Sequence, residues 1–599
     1  MYSKLSAPIL LASACSAALY ESVSQLPGFA YDFVVVGGGT GGAVIANRLT
    51  ENPSISVLVL EAGVSNQGAT NIEVPLLAPF ASPQTAYDWN YTVVPQPGLD
   101  GRTPAYPRGF VLGGSSSTNY LTYTRGSRDD YDRYAAISGD EGWSWDALQP
   151  YIKRNERFTP PADGHNTTGQ FLPSAHGYSG INAVTLPGYP TAIDHLVVNA
   201  TQEFGDEFPF NLDMNAGDVV GIGWTQETIL NGARSSAATS YLGDSFIHRP
   251  NLHVLLHAHA TQVFPDANAK SGKQIAFNTV EFAENRQTRY NVTAKKEIVL
   301  SAGSFNTPQL LMLSGIGNKT ALASLGIPTL LDLPSVGQNM SDHPLVANPF
   351  VVSGTQTSDS IFENSTRLAA DIQAWNSSYP HEGPLVDGLT TLLGWLRLPE
   401  NDPIFETYPD PSAGPHSSHY ELIFANGFAM PGSASPSTGN YMTIFSNVIS
   451  PIARGSVTLN STDPFTQPLI DPALLAHPFD TYVVVSAIKA ARRFATASAF
   501  KGYITGPYEA WANATTDDEI AEYARSTGNS VWHAVGTACM SPKGAEWGVV
   551  DPDLKIKGAQ GLRVVDASVI PIVPNAHTQA PVYIFAERAA DFIKKSWKI

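Results

Sequence analysis

Unbroken apolar runs mark both ends of this 599-residue chain more strongly than alternating ones. Tyr31-Asp-Phe-Val-Val-Val36 is a β-branched run with no polar interruption after Asp32, and it predicts a parallel strand buried on both faces. Gly37 to Gly42 follow as a turn, and Ala43-Val-Ile-Ala-Asn-Arg-Leu49 continues as a helix. Ser56-Val-Leu-Val-Leu60 is a second buried strand that stops at Glu61-Ala-Gly63, which completes a βαβ unit. Lys296-Glu-Ile-Val-Leu-Ser-Ala302 predicts a further strand of the same sheet. Near the other end, Val582, Phe585, Ala589, Phe592 and Ile593 recur at helical spacing, so 580–595 predicts a helix packed on this first domain. Residues 64–130 are rich in Pro, Gly and Ser and read as long ordered loops. Residues 160–240 and 345–530 mix strand-like runs with loops. A second, sheet-based domain is expected, with Ser456-Val-Thr-Leu459 and Leu252-His-Val-Leu-Leu256 as example strands.

A chain this long exceeds one compact core, so at least two domains are required. Both are discontinuous in sequence. Residues 30–160, 240–345 and 535–599 are assigned to the first, and 161–239 with 346–534 to the second. Hydrophobic residues make up 43%, enough for a large interior, and the net charge of −18 repels nucleic acid, which removes that class of partner.

Residues 1–19 hold Lys4, a short apolar stretch and then small residues, the pattern of a secretory signal peptide that is too short for a membrane span. The rest of the chain shows no segment apolar enough to cross a bilayer, so a secreted, extracellular protein without a membrane partner is expected. Cleavage would remove Cys15 and leave Cys539 as a buried small hydrophobe without a disulfide partner. Sequons occur at Asn90, Asn166, Asn199, Asn291, Asn318, Asn339, Asn364, Asn376, Asn460 and Asn513, a density that suits a glycoprotein. Asn339, beside His343, is the doubtful one. A monomer is the default, since no exposed apolar helix or repeat argues otherwise.

Gly37-Gly-Gly-Thr-Gly-Gly42 changes the picture from fold to chemistry. It follows a strand, opens a helix, and has Glu61 at the end of the next strand. Gly37 permits the tight turn, Gly39 lets the backbone approach a pyrophosphate beside Thr40, and Gly42 lets helix and strand pack closely. The helix N-terminus supplies amide donors for phosphates. Glu61 can accept both ribose hydroxyls. This motif logic leaves FAD and NAD equally open.

Further motifs resemble the glucose–methanol–choline (GMC) oxidoreductase family over essentially the whole mature chain. Gly109-Phe-Val-Leu-Gly-Gly-Ser-Ser-Ser-Thr-Asn119 resembles its first signature, and Gly303-Ser-Phe-Asn-Thr-Pro-Gln-Leu-Leu-Met-Leu-Ser-Gly-Ile-Gly317 its second. Val564-Val-Asp-Ala-Ser568 and Asn575-Ala-His-Thr-Gln579 match at the C-terminal end. The resemblance implies FAD, an α/β plus α+β fold, and a Rossmann-type FAD-binding domain joined to an antiparallel-sheet substrate domain. It assigns Gly114, Ser115, Asn119, Asp566, Ala567, Thr578 and Gln579 to the cofactor, along with the backbone of Ala260. Covalent attachment in pyranose dehydrogenases uses a histidine where this chain has Thr118, so the FAD is expected to be non-covalent.

Within the family, the chain resembles fungal aryl-alcohol oxidases first and pyranose dehydrogenases next. The expected reaction takes hydride from a primary aromatic or polyunsaturated alcohol and reduces oxygen to peroxide; the alternative is a sugar dehydrogenase with a quinone acceptor. An alcohol gives up hydride only as its O–H proton leaves, and histidine is the side chain suited to take that proton near neutral pH. The resemblance points to His533 as the base and His577 as the partner that hydrogen-bonds the substrate oxygen. Tyr120, Phe428 and Trp532 are candidate aromatic walls and Glu421 a candidate acidic member of the substrate site. Trp532 stands where the oxidases carry phenylalanine, and Ala429 replaces an aromatic gatekeeper, which suggests a wider mouth. His257 and His259 could alternate on a strand, but no third ligand is near, so no metal is assigned.

Overall fold

The computed structural model describes residues 19–267 and 274–599. The expected leader therefore lies outside the described residues except for Leu19. Two sheets carry the fold. The first starts with β1 (Ala30–Val36), α1 (Thr40–Leu49) and β2 (Val57–Leu60), where the apolar runs predict them. Phe33 to Val36 are all buried, as a strand covered on both faces requires. β3 (Leu252–Leu255) lies parallel to β2, with Leu252 opposite Val57. That run belongs to the first sheet, inside the 240–345 stretch assigned to the first domain, although its strand-like pattern groups it with the second. β4 (Ala258–Pro265) and β5 (Ile275–Glu284) form an antiparallel meander into β6 (Thr288–Leu300). The C-terminal half of β6 then runs parallel to β1, and Leu562–Val564 adds a further parallel strand.

The second sheet has six strands, all antiparallel. Its spine is β7 (Pro344–Val352), β8 (Thr390–Leu396), β9 (Tyr420–Ala425) and β10 (Tyr441–Val448), in the spatial order β8, β9, β10, β7. Asn529–Ser530 pairs with the start of β7, Ser530 opposite Pro344. Ser456–Thr458 pairs with Leu469–Asp471 in a separate two-stranded ribbon and takes no part in this sheet. The same region holds helices that the strand-and-loop reading missed: Ser365–Ser377, Pro478–Phe494 and Asp517–Thr527. The middle one buries Phe479, Val483, Ala487, Ile488, Ala491 and Phe494. Its Val483-Val-Val485 run favours a strand locally, and packing against the sheet overrides that preference.

The C-terminal helix α2 (Gln579–Trp597) spans the predicted segment and packs along α1. Glu587, fully buried, ties this layer together. Its carboxylate accepts from Arg48 Nη2 at 2.7 Å, Arg154 Nε at 2.6 Å and the Tyr241 hydroxyl at 2.5 Å. Cys539 is buried, and burial pushes its thiol up to about 11, which suits a packing role. Nine of the ten sequon asparagines are exposed; Asn339 is half-buried and its Nδ2 donates to the Pro571 carbonyl at 2.8 Å. No helix among the described residues is long and apolar enough to cross a membrane.

Glu587 supplies the first test. Replacing it with leucine removes the buried carboxylate that Arg48, Arg154 and Tyr241 share and leaves the arginines only Glu51 and Asp591; loss of one partner of a buried ion pair costs up to about 3–5 kcal/mol. Urea unfolding of Glu587→Leu should show a drop of that size, whereas an unchanged midpoint would mean the network contributes nothing.

Candidate active site

The two sheets enclose a cavity of about 1140 Å³. The turn after β1 forms one wall. Gly37 sits at φ +101, and a Cβ there would lie 2.4 Å from the Ser301 carbonyl oxygen. At Gly42 a Cβ would lie 2.0 Å from the Gly37 oxygen, so only glycine lets α1 approach β1 this closely; Gly42 does not itself reach the cavity. At Gly39 the nearest atom to such a Cβ is Gly114 Cα at 3.7 Å, so the backbone here borders open space beside Thr40.

The 109–119 loop closes on this turn through Gly113 N–H to the Gly38 carbonyl, 2.9 Å, and puts Gly114, Ser115 and Asn119 on the wall. Asn119 Nδ2 donates to Gln579 Oε1 at the start of α2, and Arg234 Nη1 donates to Asn119 Oδ1 at 2.8 Å. Thr578 and Gln579 also line the cavity, and Gln579 Nε2 is a buried donor with no partner. Ala260 lies at a register shift between β4 and β5, where its backbone is free to border the cavity. Asp566 accepts from Gly303 N–H at 2.9 Å and Thr307 Oγ1 at 2.6 Å, and is followed on the wall by Ala567.

Glu61 is buried and accepts from Gly38 N–H and Gly63 N–H, both at 2.8 Å. Desolvation outweighs these donors and pushes its carboxyl up to about 7. A carboxylate with lone pairs to spare, an open helix N-terminus and an unpartnered amide donor fit a dinucleotide with ribose hydroxyls and phosphates.

The second wall carries the histidines. Segments 341–344 and 530–535 run antiparallel, with Ser341 opposite Val535 and Pro344 opposite Ser530. This register sets His343 beside His533. Asp342, fully buried, fixes both strands: Oδ1 accepts the backbone N–H of His343 and of His533, each at 2.8 Å. Its Oδ2 accepts the hydroxyls of Tyr106 at 2.7 Å and Ser530 at 2.5 Å. His533 lines the cavity, and burial followed by the neighbouring His577, His343 and Arg108 holds it well below the usual histidine range. His577 stands across from it, ring centroids 4.7 Å apart.

Glu421 does not reach the cavity; it sits behind His577, a correction to its expected place among the substrate-contacting residues. The β9–β10 register pairs Glu421 with Asn447, whose Nδ2 donates to Oε2 at 2.8 Å, while Oε1 receives His577 Nε2 at 3.0 Å. A carboxylate accepts, so His577 carries its hydrogen on Nε2.

Tyr120, Phe428 and Trp532 all line the cavity, with Tyr120 and Trp532 stacked at 5.9 Å. Trp532 adopts φ +65, a left-handed backbone rare for a bulky residue. It is held there by Ser530 Oγ, which accepts its N–H at 2.6 Å, and by Arg108 Nη2, which donates to its carbonyl at 2.6 Å. Ala429, Met430 and Gly432 line the same cavity. His257 falls just before β4 at φ +57 and bonds Glu21, so it does not alternate with His259 on the strand.

Sequence reasoning missed His343, Asp342, Tyr106 and Arg108. The signal was an Asp-His pair abutting the apolar run 344–352; buried polar residues at a strand start need partners, and those partners come from distant segments.

Residues 31–345 and 451–586 match the two profiles described as GMC oxidoreductase. The chain belongs to the GMC oxidoreductase family. It is 42% identical to dehydrogenase eriK of Hericium erinaceus, over 99% of each chain. It is 40% identical to pyranose dehydrogenase 3 of Leucoagaricus meleagris, over 96% of this chain and 95% of that one. Among solved structures, Aspergillus oryzae formate oxidase superposes with a TM-score of 0.87 at 30% identity, covering 95% of this chain and 99% of that one. A fungal aryl-alcohol oxidase superposes with a TM-score of 0.79 at 29% identity, covering 95% and 99%. The protein is thus an FAD-dependent oxidoreductase of the class acting on CH–OH groups, with a Rossmann-type FAD-binding domain and an antiparallel-sheet substrate domain.

His259 gives a test that needs no substrate. Burial and then Arg286 hold it at about 4, below its unfolded value near 6.5. Below pH 6.5 the unfolded chain binds a proton that the folded chain refuses, so stability present at pH 7 is lost as the pH falls towards 4. This residue alone should account for about 2 kcal/mol of the loss between pH 7 and pH 5. Urea unfolding at the two pH values should show that gap shrinking by this amount in His259→Phe; an equal gap in both proteins would refute the assignment.

Proposed function

We propose that this enzyme oxidises an apolar alcohol, benzylic or polyunsaturated, and passes the electrons to an organic acceptor such as a quinone in preference to oxygen. The observation that carries the reading is the His533–His577 pair on the wall of one large cavity, with His533 held neutral. FAD supplies the hydride acceptor. His533 takes the hydroxyl proton as the C–H bond breaks. His577, held by Glu421 through Nε2, borders the substrate oxygen from the other side. Protonated in turn, His533 would stabilise negative charge nearby.

The substrate preference rests on the wall chemistry. Leu389, Ile423, Phe428, Met430 and Phe445 join Tyr120 and Trp532 around the cavity. Such a surface favours apolar contact, while a sugar calls for several placed polar partners. The acceptor preference rests on the two relatives named as dehydrogenases and on the bulk of Trp532 beside His533. Sequence alone favoured oxygen, and Tyr120 and Thr118 still support an oxidase. A sugar donor is the second reading, supported by the 40% identity to a pyranose dehydrogenase. Thr118 offers no ring nitrogen for a covalent link, which supports dissociable FAD; the proposed leader, 1–19, supports secretion.

The deciding experiment is anaerobic mixing of the holoenzyme with 4-methoxybenzyl alcohol or with glucose. Bleaching of the flavin by the first alone is expected, and bleaching by glucose alone would replace this reading with the sugar reading. Turnover with benzoquinone should exceed peroxide release in air, and Trp532→Phe should raise the latter. His533→Ala should slow bleaching on the order of 10²-fold or more. Since His533 stays neutral below its usual range, the wild-type rate should stay level as the pH falls through 6.5; an inflection there would contradict it. Acid precipitation should release the flavin into the supernatant, and flavin left in the pellet would show a covalent bond.

A further inference from the structure

Arg125, Glu156, His176 and Asp213 form a buried charged cluster that does not line the cavity. His176 stands at its centre. Its Nδ1 lies 2.5 Å from Glu156 Oε1, and its Nε2 lies 2.7 Å from Asp213 Oδ2. Arg125 Nη2 donates to the other oxygen of Glu156. The rings of Phe158 and Phe171 pack on the imidazole, centroids 4.4 and 5.5 Å away.

Each of the two ring contacts needs a hydrogen, and the neighbours decide where it sits. Asp213 is already surrounded by donors. Its Oδ1 accepts the Asn215 N–H and Gln226 Nε2, both at 3.0 Å, and its Oδ2 accepts the Leu172 N–H at 2.9 Å. A proton on that carboxyl would face another hydrogen. Glu156 is kept ionised by the guanidinium on its second oxygen. The hydrogens therefore lie on both ring nitrogens, and the ring is an imidazolium. Its other polar neighbours are Arg125 Nη2, 3.2 Å from Nδ1, and Gln226 Nε2, 3.4 Å from Nε2. Both are donors that bond the same two carboxylates. Charge closes within the cluster, because Arg125 and His176 balance Glu156 and Asp213; a neutral ring would leave one negative charge buried in excess. Burial disfavours the imidazolium, and the bonds to Asp213 and Glu156 outweigh it and hold the ring above the usual histidine range.

Asn215 carries this clamp to the active site. Its Oδ1 accepts the Arg125 N–H at 2.6 Å, and its Nδ2 donates to the Tyr123 carbonyl at 3.0 Å. Arg125 Nη1 returns two bonds, to the carbonyls of Asn215 at 2.8 Å and Ala175 at 2.9 Å. Thr124 is thus pinned on both sides, and its Oγ1 accepts the backbone N–H of His577 at 2.7 Å. Glu421 holds the ring of His577, and Thr124 holds its backbone.

We infer that His176 is a positioning residue: as an imidazolium between Glu156 and Asp213 it fixes residues 123–125, and through Thr124 the backbone of His577. The inference rests on the reading that sets His577 beside the substrate oxygen, but the state of the ring and the position of His577 are tested without it.

Neutron diffraction from the deuterated holoenzyme at pH 8 reads the ring directly, since a free histidine is neutral there. Deuterium is expected on both nitrogens of His176, and one bare nitrogen overturns the inference. Two variants test the positioning. His176→Gln leaves one buried carboxylate unmatched, and His176→Gln combined with Asp213→Asn restores the balance. In crystals of the single variant the contact from His577 N–H to Thr124 Oγ1 should lengthen, and an unchanged contact overturns the inference. Anaerobic flavin reduction at pH 8 should slow ~10-fold in the single variant with KM little changed, and return to within a few-fold of wild type in the double variant. Equal loss in both, or loss in neither, overturns it, because a packing role alone would not answer to charge. A single variant that unfolds beside a folded double variant gives the same support through stability. If no alcohol bleaches the flavin in any of these proteins, the reading of His577 fails, and the neutron map and the Thr124 contact still decide the role of His176.

Discussion

One buried carboxylate governs the active end of this enzyme. Asp342 draws four donors onto two oxygens: two backbone N–H groups and the hydroxyls of Tyr106 and Ser530. Each bond to a charged, buried acceptor is worth about 1.5–3 kcal/mol, and together they staple two segments nearly 200 residues apart in sequence. The staple is what makes the cost of the local backbone tolerable. Trp532 holds a left-handed conformation that costs about 1–3 kcal/mol, and its own N–H and that of His533 are bonded into this network. Without the carboxylate, the register of His533, His343 and Trp532 would rest on the backbone pairing of the two segments and on Arg108.

The nucleotide half was legible because its signals are local. Buried parallel strands announce themselves as unbroken apolar runs at β1 and β2, and the glycines at 37 and 42 are demanded by contacts within a few residues. The same logic is silent on the sheet that β3 joins, because an apolar run does not say; its parallel register with β2 does. In the second half the signals are tertiary. The Pro478–Phe494 helix contains a valine triplet that favours a strand when read alone. Glu421 sits one layer behind the cavity, a distinction set by which face of β9 it occupies and by its pairing with Asn447. His343 was invisible for the same reason, since its importance comes from a residue 190 positions away.

Charge is arranged here by subtraction. Two of the three clustered histidines are held below the usual range by burial and then by His577, while His577 itself has a carboxylate behind it. A neutral acceptor facing a partner ring that a carboxylate holds in place is an asymmetry suited to taking a proton from one side. Aromatic and aliphatic side chains make up much of the cavity wall around them.

The order of assembly follows from where the cavity walls lie in the chain. The turn after β1 emerges early in synthesis, yet the surfaces opposite it come from 529–533, 566–567 and 577–579. Until those residues leave the ribosome, the first βαβ unit has half a binding site and an uncovered helix, because α2 is still missing. The cofactor can therefore be captured only after translation of the catalytic segments, and the waiting chain exposes apolar surface throughout.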